Sequence, residues 1–292
     1  MKATFESVAN MADTSFTIRH FEEEYFSAPY HHHPEFELTF IIKGYGKRYV
    51  GTRMDDYNKD DLVLLGKNLP HCWKTEQVVN GEINASSIVI QFKEDFLGTN
   101  FFDIPEMKAV SRLLDLSKNG LQFTGRGVQE VYHLMLDLLD EQSPVKRVCL
   151  FLTILNKLAF WEDFVVLEKG NPYDSMAVVE REKINRVTAY IVEHFTQKVS
   201  VDEVAALVHM TPHAFCKYFK RITRKTLMEM VIDYRIDLAA RQLVYTDLPV
   251  AQIALESGFN DVSSFYKTFR KRKKISPLTY RNRFLQVNEK AN

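Results

Sequence analysis

The sequence lacks most of the features that mark membrane, secreted or zinc-finger proteins. Its three cysteines, Cys72, Cys149 and Cys216, are widely spaced and form no CxxC pair, so we predict free thiols. No run of about 18 apolar residues is present to cross a bilayer, and the N-terminus lacks the apolar segment of a secretion signal. The absence of low-complexity tracts argues against disorder. We therefore predict a folded, cytoplasmic protein without a membrane partner.

Charge is balanced overall but unevenly distributed. The 292 residues include 38 Lys and Arg and 38 Asp and Glu, and this length allows two domains with separate cores. Residues 182–292 carry 19 basic against 11 acidic residues, a net charge of +8, which leaves −8 for residues 1–181. A basic end suits a polyanion such as double-stranded DNA, although the excess alone is equally compatible with a surface that only aids solubility.

The first half of the chain shows strand patterns and then helix patterns. Residues 14–92 alternate apolar and polar residues in short runs separated by glycines, which is typical of antiparallel strands joined by tight turns. From Pro105 the period is helical, and it predicts helices at 107–116, 128–139 and 145–161. These patterns predict a β-barrel or β-sandwich with appended helices.

The last of these helices carries an apolar stripe that needs a partner surface. The stripe consists of Leu150, Ile154, Leu155 and Leu158. Two interpretations stay open: the stripe packs on the barrel of the same chain, or it also forms a homodimer interface. The polar, turn-rich residues that follow predict an inter-domain linker. We therefore divide the chain into a domain at 1–168, a linker at 169–181 and a domain at 182–292.

Two segments of the C-terminal domain repeat each other about 50 residues apart. Each has a small alanine, a turn, two aromatic residues four positions apart and then a basic pair, which is the pattern of a helix-turn-helix. The first copy has Ala205, Phe215 and Phe219; the second has Ala254, Phe265 and Phe269.

The sequence also marks the start of each second helix and the turn before it. Thr211 before Pro212, and Asp261, are predicted N-caps. Gly258 supplies the tight turn in the second copy, whereas His209 holds that place in the first copy at a less favourable backbone conformation. A long helix at 227–244, about 27 Å at 1.5 Å per residue, would join the copies and let them enter adjacent major grooves. Arg235 and Arg241 are expected on its exposed face.

These features resemble the AraC family of bacterial transcription regulators from Val199 to Phe284, most clearly at 249–259 and 276–281. The resemblance implies an all-α domain of two helix-turn-helix motifs that binds specific DNA, governed by a sensor domain. RNA polymerase and a second copy of the chain are further candidate partners. Arg224 and Lys274 stand where the family usually has glycine after each recognition helix, so we do not expect the usual left-handed helix end there.

The resemblance also assigns candidate DNA contacts by position. Side chains that can reach base edges are expected on the exposed face of each recognition helix. These are His213, Cys216, Lys217, Ser263, Tyr266 and Lys267. Basic residues at the helix ends are expected to contact phosphates and to set affinity rather than sequence preference. These are Lys220, Arg221, Arg224, Arg270, Lys271, Arg272, Lys273 and Lys274.

The N-terminal domain contains a histidine cluster. His31, His33 and Glu37, with Gly44 seven residues later, resemble the first motif of the cupin family, and His71 follows. The second motif is degraded, since residues 60–71 lack its leading glycine and its Pro-x-Gly. The full fold prediction is therefore α+β, with an N-terminal cupin-like β-barrel, appended helices and a C-terminal double helix-turn-helix.

Three interpretations of His31, His33, Glu37 and His71 stay open: an effector pocket without metal, a metal site, or structural histidines. Imidazoles with a carboxylate suit iron, manganese or zinc. We favour a pocket for a small polar effector, with no metal and no cofactor, in which Trp73, Tyr49 and Phe40 are candidate lining residues. The predicted function is ligand-responsive, sequence-specific control of transcription, not enzymatic. The alternative is a metal-dependent cupin enzyme that carries a DNA-binding domain.

Overall fold

The computed structural model describes residues 4–5, 14–26, 28–76, 82–168 and 178–288. The chain divides into two compact units, Ala3–Arg181 and Glu182–Asn292. Most of the predicted linker lies outside the described residues, and a helix that begins at Val178 includes its last four positions. Among the described residues, no helix is both long and apolar enough to cross a membrane. All three cysteines are free, as predicted.

The first unit contains two β-sheets. One has the strand order β1-β3-β8-β5-β6, and the other has the order β11-β10-β7-β4-β9-β2. All pairings are antiparallel except that of β1 with β3. The strands are β1 (Thr4–Phe5), β2 (Phe16–Glu23), β3 (His31–His32), β4 (Phe36–Lys43), β5 (Gly46–Val50), β6 (Arg53–Tyr57), β7 (Leu62–Leu65), β8 (His71–Thr75), β9 (Ala85–Phe92), β10 (Leu121–Phe123) and β11 (Phe164–Val166).

The central strands of the six-stranded sheet are buried on both faces. Because successive side chains of a strand point to opposite faces, Leu38 and Phe40 of β4 lie on one face, and Glu37, Thr39 and Ile41 lie on the other. Leu38 and Phe40 belong to the large apolar core that includes the helices of this unit. Ile41 belongs to a second apolar cluster that also contains side chains of the five-stranded sheet. The second face thus carries the polar residues of the site.

Three helices cover the first face, namely α1 (Lys108–Ser117), α2 (Val128–Asp140) and α3 (Pro144–Ala159). They follow two short 3-10 turns at Phe101–Asp103 and Pro105–Met107. Ile154, Leu155 and Leu158 of α3 are at most 1% exposed in the core of their own chain. The stripe therefore packs within its own chain, and Leu150, its fourth residue, is partly buried against the same core. The homodimer interface stays a prediction.

The second unit is entirely helical over its described residues. Its elements are α4 (Val178–His194), α5 (Val201–Leu207), α6 (Pro212–Thr223), α7 (Leu227–Tyr245), α8 (Val250–Glu256), α9 (Val262–Lys273) and α10 (Pro277–Asn288). Ala205, Phe215 and Phe219 are fully buried in one copy of the repeat, and Ala254, Phe265 and Phe269 are fully buried in the other. The predicted duplication and the long joining helix are thus both present.

The turns of the two helix pairs differ in their residues but share a left-handed backbone. Gly258 has φ 88°, and a Cβ there would lie 2.6 Å from the carbonyl oxygen of Thr196, so both the dihedral angle and the close approach require glycine. His209 adopts φ 55° in the equivalent turn, as predicted. A non-glycine residue in this region costs about 1–2 kcal/mol.

Our expectation for the ends of the recognition helices was wrong. Arg224 (φ 58°) and Lys274 (φ 67°) both adopt the left-handed conformation, and each donates its backbone N–H to the carbonyl four residues back. The reason is the short connection that follows. The next helix begins after Thr226 in the first copy and at Pro277 in the second, so the chain must reverse within three residues even without glycine.

The prediction that Arg235 and Arg241 are exposed was also wrong. Arg241 is 3% exposed. Arg235 donates to the carbonyl oxygens of Phe195 and Gln197, both at 2.6 Å, just beyond the end of α4. One repeat later, Arg281 of α10 donates to carbonyl oxygens at and beyond the end of α7. Each repeat therefore uses one arginine to bind the carbonyl groups that a helix end leaves without partners.

Candidate functional site

The two second helices, α6 and α9, present equivalent faces to solvent. Thr211 caps α6 by accepting from the backbone N–H of Ala214, and Asp261 caps α9 by accepting from that of Ser264 at 2.7 Å. The buried aromatic residues fix which side of each helix faces outward. Five of the six base-reading candidates are exposed on that side, and Tyr266 is half-buried. The exposed candidates are His213, Cys216, Lys217, Ser263 and Lys267.

Most of the predicted phosphate contacts are exposed on the surface, and two form ion pairs with acidic residues of α7. Arg272 pairs with Asp233 at 3.1 Å, and Lys273 pairs with Asp237 at 2.7 Å. These pairs orient the C-terminal end of α9 against α7. The other six candidates are exposed: Lys220, Arg221, Arg224, Arg270, Lys271 and Lys274. Their contact with phosphate remains a prediction.

The predicted histidine cluster of the first unit is assembled between the two sheets. His31, His33, Glu37 and His71 are all buried, and one ligand atom from each lies within 4.8 Å of all the others. The register explains this convergence, since His31 of β3 pairs with His71 of β8 in one sheet and Glu37 belongs to the inward face of the other. The His33 Nε2 atom lies 3.0 Å from Glu37, and the His71 Nε2 atom lies 3.5 Å from it.

Hydrogen bonds to backbone carbonyls orient the imidazole rings. The Nδ1 atoms of His31 and His71 each lie 2.8 Å from a carbonyl oxygen, so Nδ1 carries the proton. Their Nε2 atoms are then acceptors when the rings are neutral. The His33 Nδ1 atom lies 3.2 Å from a carbonyl oxygen and its Nε2 atom faces the Glu37 carboxylate, with the Gln91 amide nitrogen 3.4 Å from the same Nε2 atom. Sequence alone specified these residue types but not their tautomers.

The charges of this cluster are set by burial and by pairing. Burial raises the pKa of Glu37, but the neighbouring His71 and the hydrogen bond to His33 outweigh it, and the pKa lies well below the ordinary glutamate value. Thr39 and Gln91 also donate to this carboxylate, at 2.8 and 2.9 Å. Burial lowers the pKa of His71 despite the opposing effect of Glu37. The pKa values of Glu37 and His71 thus both lie below their ordinary values.

The same four residues fit a divalent metal ion in kind and number. Three imidazoles and one carboxylate suit zinc, iron or manganese, and hydrogen bonds from Nδ1 to carbonyls are the usual way in which ligating histidines are oriented. Ligands about 2.1 Å from an ion lie at most about 4.2 Å apart, so the 4.8 Å spread would have to contract slightly. The donor set therefore permits a metal, and the buried His71 Nε2 atom has no hydrogen-bond partner among the described residues that would satisfy it without one.

A cavity of about 220 Å³ opens beside this cluster. His31 and Glu37 line the cavity, whereas His33 and His71 lie behind them. Trp73 lines the cavity as predicted. Tyr49 and Phe40 do not; Phe40 instead stacks on Tyr132 in the helix-facing core, with ring centroids 4.5 Å apart.

Five polar residues of the cavity were not among the predicted residues: Arg19, Glu23, Thr39, Ser87 and Gln91. Arg19 and Gln91 both line it, and the Arg19 Nη2 atom donates to the Gln91 side chain at 2.6 Å. The sequence signal was weak, because Arg19 lies two residues after Thr17 and directly before His20. The alternation of apolar and polar residues in this strand indicates a solvated edge. Its inward direction follows only from the pairing of β2 with β9.

Comparison with known proteins places the second unit in a known domain class. Residues 204–283 match the family model described as a helix-turn-helix domain. This range contains both copies of the repeat, from α5 to α10. The predicted helix-turn-helix domain is therefore confirmed for this part of the chain.

Relatives extend the likeness over most of the chain. An uncharacterized HTH-type transcriptional regulator of Bacillus subtilis, YdeC, is 20% identical over 256 residues, which are 87% of this chain and 86% of that protein. Another, SAR0107 of Staphylococcus aureus, is 23% identical over 250 residues, 84% of this chain. The chain spans only 31% of the length of this second relative.

Solved structures show weaker likeness. ToxT from Vibrio cholerae, bound to a naphthalenyl-butenoic acid, is 16% identical and covers 92% of this chain, with 98% of ToxT matched and a TM-score of 0.34. A score at this level supports no conclusion about the whole fold.

Proposed function

We propose that this DNA-binding transcription regulator of the AraC type responds to a small-molecule effector, which its N-terminal unit binds in the cavity beside His31 and Glu37. Sequence-specific DNA binding is assigned to α6 and α9. The cupin-like character of the first unit is part of the proposal. Its support is the convergence of the four motif residues between two sheets.

The duplicated recognition helix is the observation that carries this proposal. Both α6 and α9 have a side-chain cap, a buried aromatic face and an exposed face with a lysine at the equivalent place, Lys217 and Lys267. The 19 residues of α7 between the two copies span about 28 Å, close to the ~34 Å that separates successive major grooves on one side of a duplex. One chain can therefore read two adjacent grooves.

Selection of DNA from a random pool by the full chain tests this assignment. The expected result is an enriched motif with two parts about one helical turn apart. Affinity for it should fall steeply with salt, because each phosphate contact releases counterions. A pool that shows no enrichment, or affinity that is unchanged between low and high salt, would contradict sequence-specific binding by this domain.

A metal-dependent enzyme is the alternative function that the histidine cluster favours. The four buried ligands supply the donor set of such a site. The comparisons instead relate the chain to proteins named as transcription regulators. Metal analysis of protein purified without chelator separates the two, since the enzyme requires close to one equivalent of a transition metal. A metal-free protein that still binds its selected DNA would support the regulator.

A further inference from the structure

The floor of the cavity is a regular ladder of inward-facing side chains. In this ladder, Arg19 of β2 pairs with Val89 of β9, which pairs with Thr39 of β4. Two residues further along β2, Phe21 occupies the next rung on the same face, and the Arg19 guanidinium lies 5.2 Å from the centre of its ring. The cavity is therefore built by backbone pairing and contains a fixed positive charge.

Two residues that line this cavity each have a buried donor atom without a hydrogen-bond partner among the described residues. These donors are the Arg19 Nε atom and the Trp73 Nε1 atom. Trp73 is only 7% exposed, so water does not readily satisfy its N–H group. A buried donor without a partner costs about 1–3 kcal/mol. A ligand that brings acceptor oxygens to these donors would recover this free energy.

An acceptor lies elsewhere along the same wall. Gln91 accepts from Arg19 and donates to Glu37, so the arginine and the carboxylate are separated by one amide group. The Glu37 carboxylate lines the cavity and already accepts hydrogen bonds from Thr39 and Gln91. Glu37 would repel an anionic group of a ligand that approached it directly, with no donor between the two charges. A hydroxyl or amino group of the ligand would instead donate a hydrogen bond to Glu37. Phe21, Phe26 and Ile41 supply an apolar part of the wall, and Glu23, Thr39 and Ser87 add further polar side chains to it.

We propose that the effector is a small organic acid that also carries a hydroxyl or amino group, and that Arg19 and Trp73 bind its carboxylate while Glu37 accepts from its donor. This inference rests on the effector site of the proposed function and specifies the ligand. The cavity volume agrees with a small ligand, because about 220 Å³ is smaller than the 300–1,000 Å³ typical of sites for drug-sized ligands.

Four related probes separate the parts of this proposal in a thermal-shift and calorimetric titration of the full chain. L-leucine and leucic acid have both the carboxylate and a donor, isocaproic acid has only the carboxylate, and leucinol has only donors. We expect the first two, or one of them, to stabilise the protein at millimolar concentration and the last two to bind at least tenfold more weakly. Equal binding of isocaproic acid would overturn the role of Glu37. Equal binding of leucinol would overturn the carboxylate assignment, and no shift with any acid would overturn the ligand class.

Variants then test the named residues with the acid that binds best. Arg19→Met should weaken binding by about tenfold or more, since it removes charged hydrogen bonds, and Trp73→Phe should weaken it by about threefold to tenfold. Arg53→Met, on exposed β6 of the other sheet, is the matched control and should leave the affinity unchanged. If Arg19→Met does not fold, Trp73→Phe and Arg19→Lys still decide the question. Variants that bind the acid like the unchanged protein would refute the site.

The DNA selection described above involves no effector, so its outcome is independent of these titrations. Enriched DNA without acid binding would leave the regulator in place and reject only this ligand class. Acid binding without enriched DNA would support this ligand class and reject the proposed sequence-specific DNA binding.

Discussion

The repeated arginine that binds a helix end gives a sharp stability prediction. Arg281 of α10 donates from Nε to the carbonyl of Leu243 at 3.1 Å, and from Nη2 to that of Leu248 at 2.7 Å and that of Thr246 at 3.4 Å. The last C=O groups of α7 have no partner within the helix, so Arg281→Met would leave them to water. Methionine keeps the length and the helix propensity of the side chain.

The magnitude follows from these contacts. The hydrogen bonds to Leu243 and Leu248, at 3.1 and 2.7 Å, are the two well-formed ones. Each is worth about 1–1.5 kcal/mol once the partial exposure of Arg281 is allowed for, so the free energy of unfolding should decrease by about 2–3 kcal/mol. For a unit of this size, that corresponds to a decrease of roughly 10 °C in the melting temperature. Calorimetry of the full chain would measure this decrease. The transition of the DNA-binding unit is the one that shifts to higher temperature when the selected DNA is added.

The matched control is Arg270→Met, which makes the same chemical change on the exposed face of α9. It should change the melting temperature by no more than about 2 °C. Arg281→Lys should lie between the two, because an ammonium group keeps the charge but lacks the planar set of donors. If Arg281→Met is as stable as the control, the arginine does not stabilise the helix end and the reasoning fails.

Three further predictions follow. Burial raises the pKa of Glu168, against hydrogen bonds from Thr52 and the charge of Arg53, and Asp55 adds to the rise. The folded state therefore binds this proton more tightly than the unfolded state, so the contribution of Glu168 to stability should decrease as the pH rises above about 4.5. In urea unfolding, the free energy of unfolding of the unchanged protein relative to that of Glu168→Gln should fall with rising pH, and parallel curves for the two proteins would disprove it. Lys217→Ala and Lys267→Ala should each cost ~1–3 kcal/mol and relax sequence preference in one half of the selected motif only, whereas a uniform loss of affinity would make both lysines phosphate contacts. A fragment of residues 178–292 should fold and bind the selected DNA, because α4 to α10 form their own core; an unfolded fragment by circular dichroism would contradict this.

The sequence by itself determined the elements and their repeat. Period-two and period-3.6 patterns depend only on which neighbouring residues are apolar, so the strand-rich segment at 14–92 and the helices α1 to α3 and α7 were predictable. The short strands β1, β10 and β11 lie outside that segment and were not predicted. The residues of the histidine cluster were also predictable, because a short motif brings His31, His33 and Glu37 close in the chain. The internal repeat identifies both recognition helices from the sequence alone.

Tertiary structure decided where individual polar side chains point. Arg19 faces the cavity because β2 pairs with β9, and Arg235 contacts carbonyl groups 38–40 residues earlier in the chain. Neither partner is close in sequence, so no local pattern distinguishes these arginines from solvated ones. Arg224 and Lys274 likewise adopt a left-handed backbone because the following helix begins at once, which outweighs their own conformational preference. Local patterns fix elements because their cause is local, whereas side-chain contacts between distant residues exist only after the elements have packed.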